Sequence, residues 1–432
     1  MALWLEQGAA DFEARFTELL AAKREASRDV NDAVAAILSR VRGEKDAALI
    51  DLTLRFDRVD LRKAGLRVTA EEIAKARAAV DAKTLAALEL ARDRILAHHR
   101  RQVPVDDAHV DDLGVELGTR WSPLQSVGLY VPGGTASYPS SVLMNAIPAR
   151  VAGVKRIVMV VPAPDGKLNP LVLVAAELAG IDEVYRVGGA QAVAALAFGT
   201  ETIAPVAKIV GPGNAYVAAA KRQVFGEVGI DMIAGPSEVV VIADKDNDPA
   251  WIASDLLAQA EHDEAAQSIL ITDDANFAKA VEAAVEAQLA TLPRSSVARA
   301  SWENCGAVIL VDHLDQAAPL VDRLAPEHLE IATAEPEALA AKVSNAGAIF
   351  LGRYTPEVIG DYVAGSNHVL PTARSARFAS GLGVLDFMKR SSILKLDADS
   401  LKALAPAAMT LASAEGLEAH RRSVAIRLNL GD

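Results

Sequence analysis

The sequence predicts an α/β protein built on parallel, doubly wound sheets. From Leu124 onward, short β-branched runs (VGLYV, RIVMVV, EVYRV and AKIV) alternate with alanine-rich stretches of helical character. A second set of similar units runs from EVVVIAD (Glu238 to Asp244) through SILIT, AVILV, LEIAT and AIFLG to about Gly352. Alternation of strands and helices on this scale is typical of parallel sheets that carry helices on both faces.

The segment before these units has a different texture. Residues 8–100 are rich in Ala, Glu, Lys and Arg with periodic Leu and Val, which predicts a largely helical segment. An acidic, loop-like stretch follows, from Val105 to Gly118.

In the first set of units, Asn169-Pro170 opens a helix and Gly180 closes it, because Asn caps a helix, Pro fits its first turn and Gly ends it.

The end of the chain is predicted to be an irregular stretch and then a helical tail. Gly360 to Gly383 contains Gly, Ser and Asn, and a helical piece of about fifty residues follows it. A piece of that length is short for an independent core. We therefore expect it to dock on its own chain or on a partner subunit.

The bulk composition limits the classes of function. The chain has 432 residues, is 51% hydrophobic and 23% charged, and carries a formal net charge of −13. This composition is globular, and the acidic balance argues against binding to nucleic acid, although a dinucleotide is compatible with it. We expect no signal peptide and no membrane span, because the first residues include early acids and no apolar run reaches about 18 residues. Cys305 is the only cysteine, so an intrachain disulfide is impossible and a reducing cytoplasm fits best.

Glycine-containing turns cluster where the predicted strands end. They are YVPGG (Tyr130 to Gly134), VGGAQ (Val187 to Gln191), GPGN (Gly211 to Asn214) and GPSE (Gly235 to Glu238). Ligands of open α/β sheets collect at the carboxyl ends of strands, where glycine lets backbone N–H groups approach a phosphate. None of the four turns has the G-x-G-x-x-G spacing of the usual dinucleotide fingerprint. Nucleotide or phosphate binding and ordinary tight turns therefore both remain open.

Two segments place a histidine beside carboxylate or amide side chains. In DLLAQAEHD, a helix opened by Asp248-Pro249 puts Gln259 and His262 on one face, because they stand three residues apart. In APEHLE, Glu327 and His328 stand at the mouth of a predicted strand, where adjacent side chains can serve one site only at the strand end. Such residues suit proton transfer and metal binding. The pattern indicates a metal-assisted or acid–base enzyme, with buried, hydrogen-bonded histidines as the alternative.

Further polar candidates lie near the end of the chain. Asp361 and His368 fall in GDYVAGSNHVLPT, an irregular stretch of the kind that often carries sites. His420 falls on a predicted helix capped by Ser413, and it faces inward or toward a partner. Glu415 lies about 140° round an ideal helix from His420, so the two meet one ligand only if Glu415 is in a frayed first turn.

Other reactive side chains are predicted to be structural. Cys305 begins a buried-looking strand without a neighbouring cation to lower its pKa, which disfavours a nucleophilic thiol. His98 and His99, in AHHRRQ, are predicted to be solvated residues at a helix end.

Taken in order, eight segments resemble the histidinol dehydrogenases, the zinc enzymes that complete histidine biosynthesis. The segments are YVPGG, VGGAQAVAALAFGT, KIVGPGNAYVAAAK, GPSEVVVIAD, DLLAQAEHD, APEHLE, GDYVAGSNHVLPT and EGLEAHRRS. The resemblance covers most of the chain from about residue 120 to the end. Several long motifs in the right order are far more specific than one short pattern.

The resemblance implies a role for each group of candidate residues. It implies that Zn²⁺ is held by Gln259, His262, Asp361 and His420, which also contact the substrate. It implies that Glu327 and His328 are the acid–base pair at the substrate, that Ser237, His368 and Glu415 help to hold the substrate, and that Tyr130, Gln191 and Asn214 contact NAD.

The resemblance also implies an architecture of two incomplete Rossmann-like parallel-sheet domains in an intertwined homodimer, with small helical segments at both termini. The expected division is an N-terminal helical segment (1–25), a first α/β domain with the metal and substrate site (26–129 with 237–381), a second domain with the NAD loops (130–236) and a C-terminal segment (382–432). That last segment would reach the neighbouring subunit and would supply Glu415 and His420 in trans.

The implied reaction oxidises L-histidinol through L-histidinal to L-histidine and reduces two NAD⁺. Hydride leaves the carbinol carbon only as the hydroxyl loses a proton, and we assign the base to His328 because an imidazole exchanges protons near neutral pH. We assign Glu327 to the activation of water for the aldehyde step. The alternatives are a related NAD-dependent dehydrogenase of another polar alcohol and a metal-dependent hydrolase or lyase.

Overall fold

The computed structural model describes residues 2–21, 28–133, 138–181, 183–233 and 235–430. Gly134 of the predicted YVPGG turn lies outside these residues, as do Met1 and residues 22–25 of the predicted N-terminal segment. Within the described ranges, none of the helices combines the length and apolar character needed to cross a bilayer.

The secondary structure alternates as the sequence predicts. The strands are β1 (Leu3–Glu6), β2 (Asp107–Val110), β3 (Glu116–Pro123), β4 (Ser126–Tyr130), β5 (Arg156–Val160), β6 (Glu183–Tyr185), β7 (Lys208–Val210), β8 (Gly229–Ile230), β9 (Glu238–Ala243), β10 (Gln267–Thr272), β11 (Ala307–Leu310), β12 (His328–Ala332), β13 (Ala348–Leu351) and β14 (Met388–Lys395). The helices are α1 (Phe12–Ala21), α2 (Arg28–Glu44), α3 (Asp46–Asp57), α4 (Leu61–Ala64), α5 (Ala70–Ala79), α6 (Ala82–Arg100), α7 (Pro139–Val151), α8 (Pro170–Leu178), α9 (Gly189–Phe198), α10 (Ala215–Val224), α11 (Pro249–Ala260), α12 (Ala275–Leu289), α13 (Ser295–Cys305), α14 (Ala317–Leu324), α15 (Pro336–Ala340), α16 (Glu357–Tyr362), α17 (Ala398–Ala414) and α18 (Glu418–Ala425).

A six-stranded parallel sheet forms the core of one half of the molecule. Its strand order is β1-β11-β10-β9-β12-β13, so the order reverses between β9 and β12. Helices α11, α12 and α13 cover one face of this sheet, and α1 and α14 cover the other. All residues of β9, β10 and β12 are buried, as expected for a sheet that is covered on both faces.

A five-stranded parallel sheet forms the core of the other half. Its strand order is β6-β5-β4-β7-β8, and the order reverses between β4 and β7. Helices α5 to α8 pack on one face, and α2, α3, α9 and α10 pack on the other. The predicted α/β class with parallel sheets is therefore confirmed.

Two local predictions of helix starts are confirmed. The Asn169 side chain accepts a hydrogen bond from the N–H of Leu171 (2.8 Å), and Pro170 is the first residue of α8. The Asp248 side chain accepts one from the N–H of Ala250 (2.8 Å) at the start of α11. Gly180, at φ +73°, follows the end of α8 as predicted.

The packing of the N-terminal hundred residues differs from the division expected from the sequence. That division groups residues 26–129 with the six-stranded sheet, whereas α2, α3, α5 and α6 pack on the five-stranded sheet and β4 belongs to it. The first residues are not only helical, because β1 is an edge strand of the six-stranded sheet. Helical periodicity shows which residues of a helix are buried but not the sheet on which they pack.

The C-terminal tail also contains a strand. β14 pairs antiparallel with β3, which pairs with β2, and this small sheet is exposed along much of its length. The helix predicted to begin at Ser413 is interrupted, because α17 ends at Ala414 and Gly416 has a φ of +69°. Glu415 and His420 therefore do not share one continuous helix.

Candidate active site

A cluster of ionisable side chains lies at the amino ends of β9 and β12, where the order of the six-stranded sheet reverses. His328 is the first residue of β12, and Glu327 precedes it in the chain. The N–H of Glu238, the first residue of β9, donates to Glu327 Oε2 at 3.1 Å. Because Glu327 and His328 stand at the start of β12, both side chains reach the cluster, as predicted for a strand end.

The hydrogen bonds of His328 fix the ring nitrogen that can exchange protons. Its Nδ1 lies 3.1 Å from the carbonyl oxygen of Glu238, so Nδ1 carries a hydrogen and donates it. Its Nε2 is buried without a hydrogen-bond partner among the described residues, and Asp361 Oδ1 lies 3.6 Å from it. Nε2 is therefore the atom that can take up or release a proton within the site.

Buried carboxyl groups surround this imidazole. His328 Nδ1 lies 3.6 Å from Glu357 Oε1 and 3.7 Å from Glu327 Oε2. Although burial acts in the opposite direction, the charges of Glu357, Glu327 and Asp361 raise the pKa of His328 well above its usual value. Without a bound cation, the protein therefore favours the imidazolium form of His328.

Burial also raises the pKa of several of these carboxyl groups toward or above neutral pH. It raises the pKa of Glu327 to about 7 and that of Glu357 to about 8. Glu330, on β12, accepts a hydrogen bond from the N–H of Glu357 (2.5 Å), and burial raises its pKa well above the usual value. The site is thus a compact acidic pocket, and a bound cation would favour the ionised forms of its carboxyl groups.

Gln259 and His262 border this pocket from the end of α11. Gln259 is completely buried, and neither its amide oxygen nor its amide nitrogen has a hydrogen-bond partner in the described part of the chain. Burial lowers the pKa of His262, which favours the neutral imidazole that binds metals. Buried polar atoms without partners call for a ligand or ion, so this side chain fits a metal site.

Asp361, on the short helix α16, connects the two sides of the pocket. Its charge acts on the pKa of both His262 and His328. His328, Glu357 and Asp361 offer ligand atoms that all lie within 4.8 Å of one another, and no other such group of His, Cys, Asp and Glu occurs in the described chain. The donor set as a whole therefore suits a divalent cation that accepts nitrogen and oxygen ligands.

His368 connects the pocket to the second sheet. Its Nδ1 donates to the carbonyl oxygen of Asp361 (3.0 Å), and its Nε2 lies 3.1 Å from the hydroxyl of Ser141, on the first turn of α7. Because α7 is the helix that follows β4, this contact brings the carboxyl edge of the five-stranded sheet against the amino edge of the six-stranded sheet. The pocket therefore lies in the cleft between the two halves.

Helix α6 supports the loop that carries Asp361 and His368. Arg94 donates to the carbonyl oxygens of Val363 (2.5 Å) and Ala364 (3.0 Å), directly after α16. His99 is completely buried and lies 3.4 Å from the side-chain amide of Asn367. The prediction that His99 is solvated is therefore wrong, whereas His98 is exposed as predicted.

The remaining predicted substrate residues lie in different places. Ser237 directly precedes β9 and is half-buried beside the Glu238 backbone that binds Glu327. Glu415 and His420 are exposed on the C-terminal helices. The single chain therefore brings Ser237 to the pocket and leaves Glu415 and His420 facing solvent.

The predicted cofactor residues stand at the carboxyl ends of the five-stranded sheet. Tyr130 ends β4, and its buried hydroxyl accepts a hydrogen bond from the N–H of Gly189 (3.0 Å) at the start of α9. Gln191 is buried two residues later. Asn214 caps α10, because its side-chain oxygen accepts from the N–H groups of Tyr216 and Val217. These loops flank the point between β4 and β7 where ligands of open sheets bind.

Sequence reasoning missed four residues of this region: Glu357, Glu330, Ser141 and His99. Glu357 carried a usable signal, since it stands four residues before Asp361 and side chains at that spacing share a helix face. Ser141 and His99 carried no such signal in the sequence, because they reach the site only through contacts between distant segments.

Comparisons with known proteins agree with this architecture. The histidinol dehydrogenase family model matches residues 20–428. The chain is 67% identical to histidinol dehydrogenase from Rhizobium meliloti and 68% identical to that from Brucella suis, over 100% of each chain. The crystal structure of histidinol dehydrogenase from Elizabethkingia anophelis matches 99% of this chain and 98% of its own length at 36% identity, with a TM-score of 0.95. Since both its sequence and its fold match over their full extent, this chain belongs to the histidinol dehydrogenase family.

Proposed function

We propose that this enzyme oxidises L-histidinol through L-histidinal to L-histidine, the last step of histidine biosynthesis, with two NAD⁺ as hydride acceptors. The observation that carries the proposal is a set of buried polar atoms that find no hydrogen-bond partner among the described residues: Gln259 Oε1 and Nε2 and His328 Nε2, in one acidic pocket. The pocket faces the cofactor-type loops of the second sheet across the cleft. A polar, cationic substrate and a cation would satisfy these atoms together.

The metal ligands in this proposal are Gln259, His262 and Asp361, with His420 of the partner subunit as the fourth. Two imidazoles, one amide oxygen and one carboxylate suit Zn²⁺ and leave a site of net charge near +1. When bound, the cation would anchor the imidazole and amine of the substrate and would lower the proton affinity of His328. Positioning of this kind removes the orientational freedom of the substrate before any bond breaks.

In the first oxidation, His328 acts on the substrate hydroxyl. As hydride leaves the carbinol carbon for the nicotinamide, Nε2 accepts the hydroxyl proton, and the Nδ1–H bond to the Glu238 carbonyl keeps the ring oriented. The neighbouring carboxylates stabilise the imidazolium that forms. The products of this step are the aldehyde, one NADH and one proton.

In the second oxidation, Glu327 activates water. Its pKa of about 7 leaves a substantial ionised fraction at neutral pH, so it can take a proton from water that attacks the aldehyde carbon. A second bound NAD⁺ would accept the hydride of the hydrate, and His328 would take the hydroxyl proton released as the carboxylic acid forms. Neither oxidation step requires a cysteine nucleophile.

Substrate and cofactor approach from opposite sides of the cleft. Ser237, His368 and Glu415 of the partner subunit would complete the binding of the substrate at the six-stranded sheet. On the five-stranded sheet, Tyr130, Gln191 and Asn214 would contact NAD. The half that carries β9 and β12 is thus the substrate domain, and the half that carries β4 and β7 is the cofactor domain.

A homodimer with shared sites accounts for the exposed C-terminal segment. In the single chain, Leu394, Leu411 and Ile426 of this segment expose 64%, 64% and 73% of their surface. A second copy that buries these side chains would also bring Glu415 and His420 to the pocket of its neighbour. We place this dimer in the cytoplasm, because a single cysteine cannot form an intrachain disulfide and fits a reducing compartment.

The decisive test is the appearance of NADH with L-histidinol, recorded before and after removal of metal by a chelator. The proposal predicts two NADH per histidinol, L-histidine as the product, and loss of activity on chelation that Zn²⁺ restores. Reduction of NAD⁺ only with another polar alcohol would identify a related dehydrogenase, and conversion of substrate without NADH would identify a hydrolase or lyase. Either result would refute the proposal.

A further inference from the structure

A buried ion pair binds the backbone of the loop Gly211–Asn214. Lys221, on α10, and Asp231, just after β8, form a salt bridge whose side chains are 2% and 1% exposed. Both partners also bind the same residue of the loop. Lys221 Nζ donates to the carbonyl oxygen of Gly211 (2.9 Å), and the N–H of Gly211 donates to Asp231 Oδ2 (2.8 Å).

These contacts form a closed ring around one residue. From Gly211 N–H the ring runs through the Asp231 carboxylate to the Lys221 ammonium and back to Gly211 C=O. Gly211 has a φ of +108°, and a Cβ on it would lie 2.2 Å from the carbonyl oxygen of Tyr130. The ion pair therefore fixes the orientation of Gly211 at the point where its backbone passes directly against the end of β4.

The position of the ring gives it a functional meaning. β4 and β7 are the strands between which the order of the five-stranded sheet reverses, and Gly211 is the first residue after β7. Three residues later Asn214 caps α10, and its Nδ2 group is the donor through which it can reach a ligand. A rotation of the backbone at Gly211 would displace Asn214 relative to Tyr130, and the two residues could then no longer contact the same dinucleotide.

We propose that Lys221 and Asp231 are positioning residues for the cofactor, because their ion pair holds the Gly211–Asn214 loop in the orientation that NAD⁺ requires. This inference rests on the proposed function, since it assumes that NAD⁺ binds to this loop. Desolvation of the two charges makes a buried ion pair a weak source of stability, and apolar residues of similar volume often replace one without loss of stability. Loss of the pair should therefore affect cofactor binding more than folding.

The test compares two pairs in the same sheet. The double variant Lys221→Met/Asp231→Leu removes the ring at the carboxyl edge. The control variant is Arg156→Met/Glu183→Gln, which removes an ion pair (2.8 Å) between the first residues of β5 and β6, at the amino edge of the same sheet. It also removes the hydrogen bonds from Arg156 to the carbonyl oxygens of Ala204 and Pro205. Each zinc-loaded protein is assayed for KM of NAD⁺, KM of L-histidinol, NAD⁺ affinity by calorimetry and melting temperature.

We expect the Lys221/Asp231 variant to raise KM and Kd for NAD⁺ by about 10- to 100-fold, as a displaced binding group does, while KM for L-histidinol is unchanged. The control variant should leave all three constants unchanged whatever it does to the melting temperature. Unchanged NAD⁺ constants in the first variant, or an equal rise in the control, would overturn the inference.

If the double variant does not fold, Lys221→Gln/Asp231→Asn replaces it. That variant keeps the approximate size of both side chains and leaves no unpaired charge buried, and an unchanged Kd for NAD⁺ would again refute the inference. Failure of the proposed function would be recognised separately, because the wild-type enzyme would then not reduce NAD⁺ with L-histidinol.

Discussion

Ionisation of the buried Glu327 carboxyl should make the metal-free enzyme less stable as the pH rises. In the folded protein burial raises the pKa of this carboxyl from 4.5 to about 7, and only 5% of the residue is exposed. Below pH 4.5 both folded and unfolded chains bind the proton, so the shift has no effect there. Between pH 4.5 and 7 the unfolded chain releases the proton while the folded chain keeps it, and stability falls until the penalty is complete above pH 7.

The size of the effect follows from the same values. A shift from 4.5 to about 7 corresponds to about 3 kcal/mol in total, of which about 2 to 3 kcal/mol is lost between pH 5 and pH 8. The assay is urea denaturation of chelator-treated protein at several pH values, for the wild type and for Glu327→Gln. The amide oxygen of Gln can still accept from the N–H of Glu238, but the side chain cannot ionise.

The wild type should therefore lose about 2 to 3 kcal/mol more than Glu327→Gln over this pH range. Equal pH dependence of the two proteins would show that the carboxyl ionises as in water. Glu327 would then not be tuned by burial for proton transfer near neutral pH.

The remaining predictions concern activity and metal binding. Glu327→Gln should lower kcat by about 10²- to 10⁴-fold and stall oxidation at or before the aldehyde in product analysis by chromatography, and normal formation of L-histidine would contradict its role. His262→Asn and Asp361→Asn should each lower the zinc content measured by atomic absorption, whereas full retention would remove them from the metal site. Cys305→Ser should keep most of the NADH formation rate, and a loss of several orders of magnitude would favour a thiol mechanism. Mixing Glu327→Gln with His420→Asn subunits should regain activity that neither variant has alone, and no recovery in demonstrated mixed dimers would refute sharing of the site.

The sequence predicted the features that depend on neighbours in the chain. The caps at Asn169 and Asp248 follow from one residue and the turn after it, and the start of β12 at His328 follows from the apolar run behind Pro326. The family motifs then identified Glu327 and His328 as candidates. Local patterns of this kind need no knowledge of the fold.

The features that depend on contacts between distant segments could not be predicted. His99 is buried because Asn367 folds over the end of α6, and Ser141 meets His368 because the two sheets face one another. The raised pKa of His328 has the same origin, since Glu357 comes from a helix that packs beside β12 only in the folded chain. Periodicity also did not show that the N-terminal helices pack on the five-stranded sheet.

Anomalous diffraction at the zinc absorption edge, from crystals grown with Zn²⁺, would show most directly whether the proposed zinc ligands converge on one cation. We expect one anomalous peak per subunit, about 2.0–2.2 Å from ligand atoms of Gln259, His262, Asp361 and His420 of the partner subunit. A peak bound by His328, Glu357 and Asp361 instead, or the absence of a peak from the pocket of an active enzyme, would contradict this expectation.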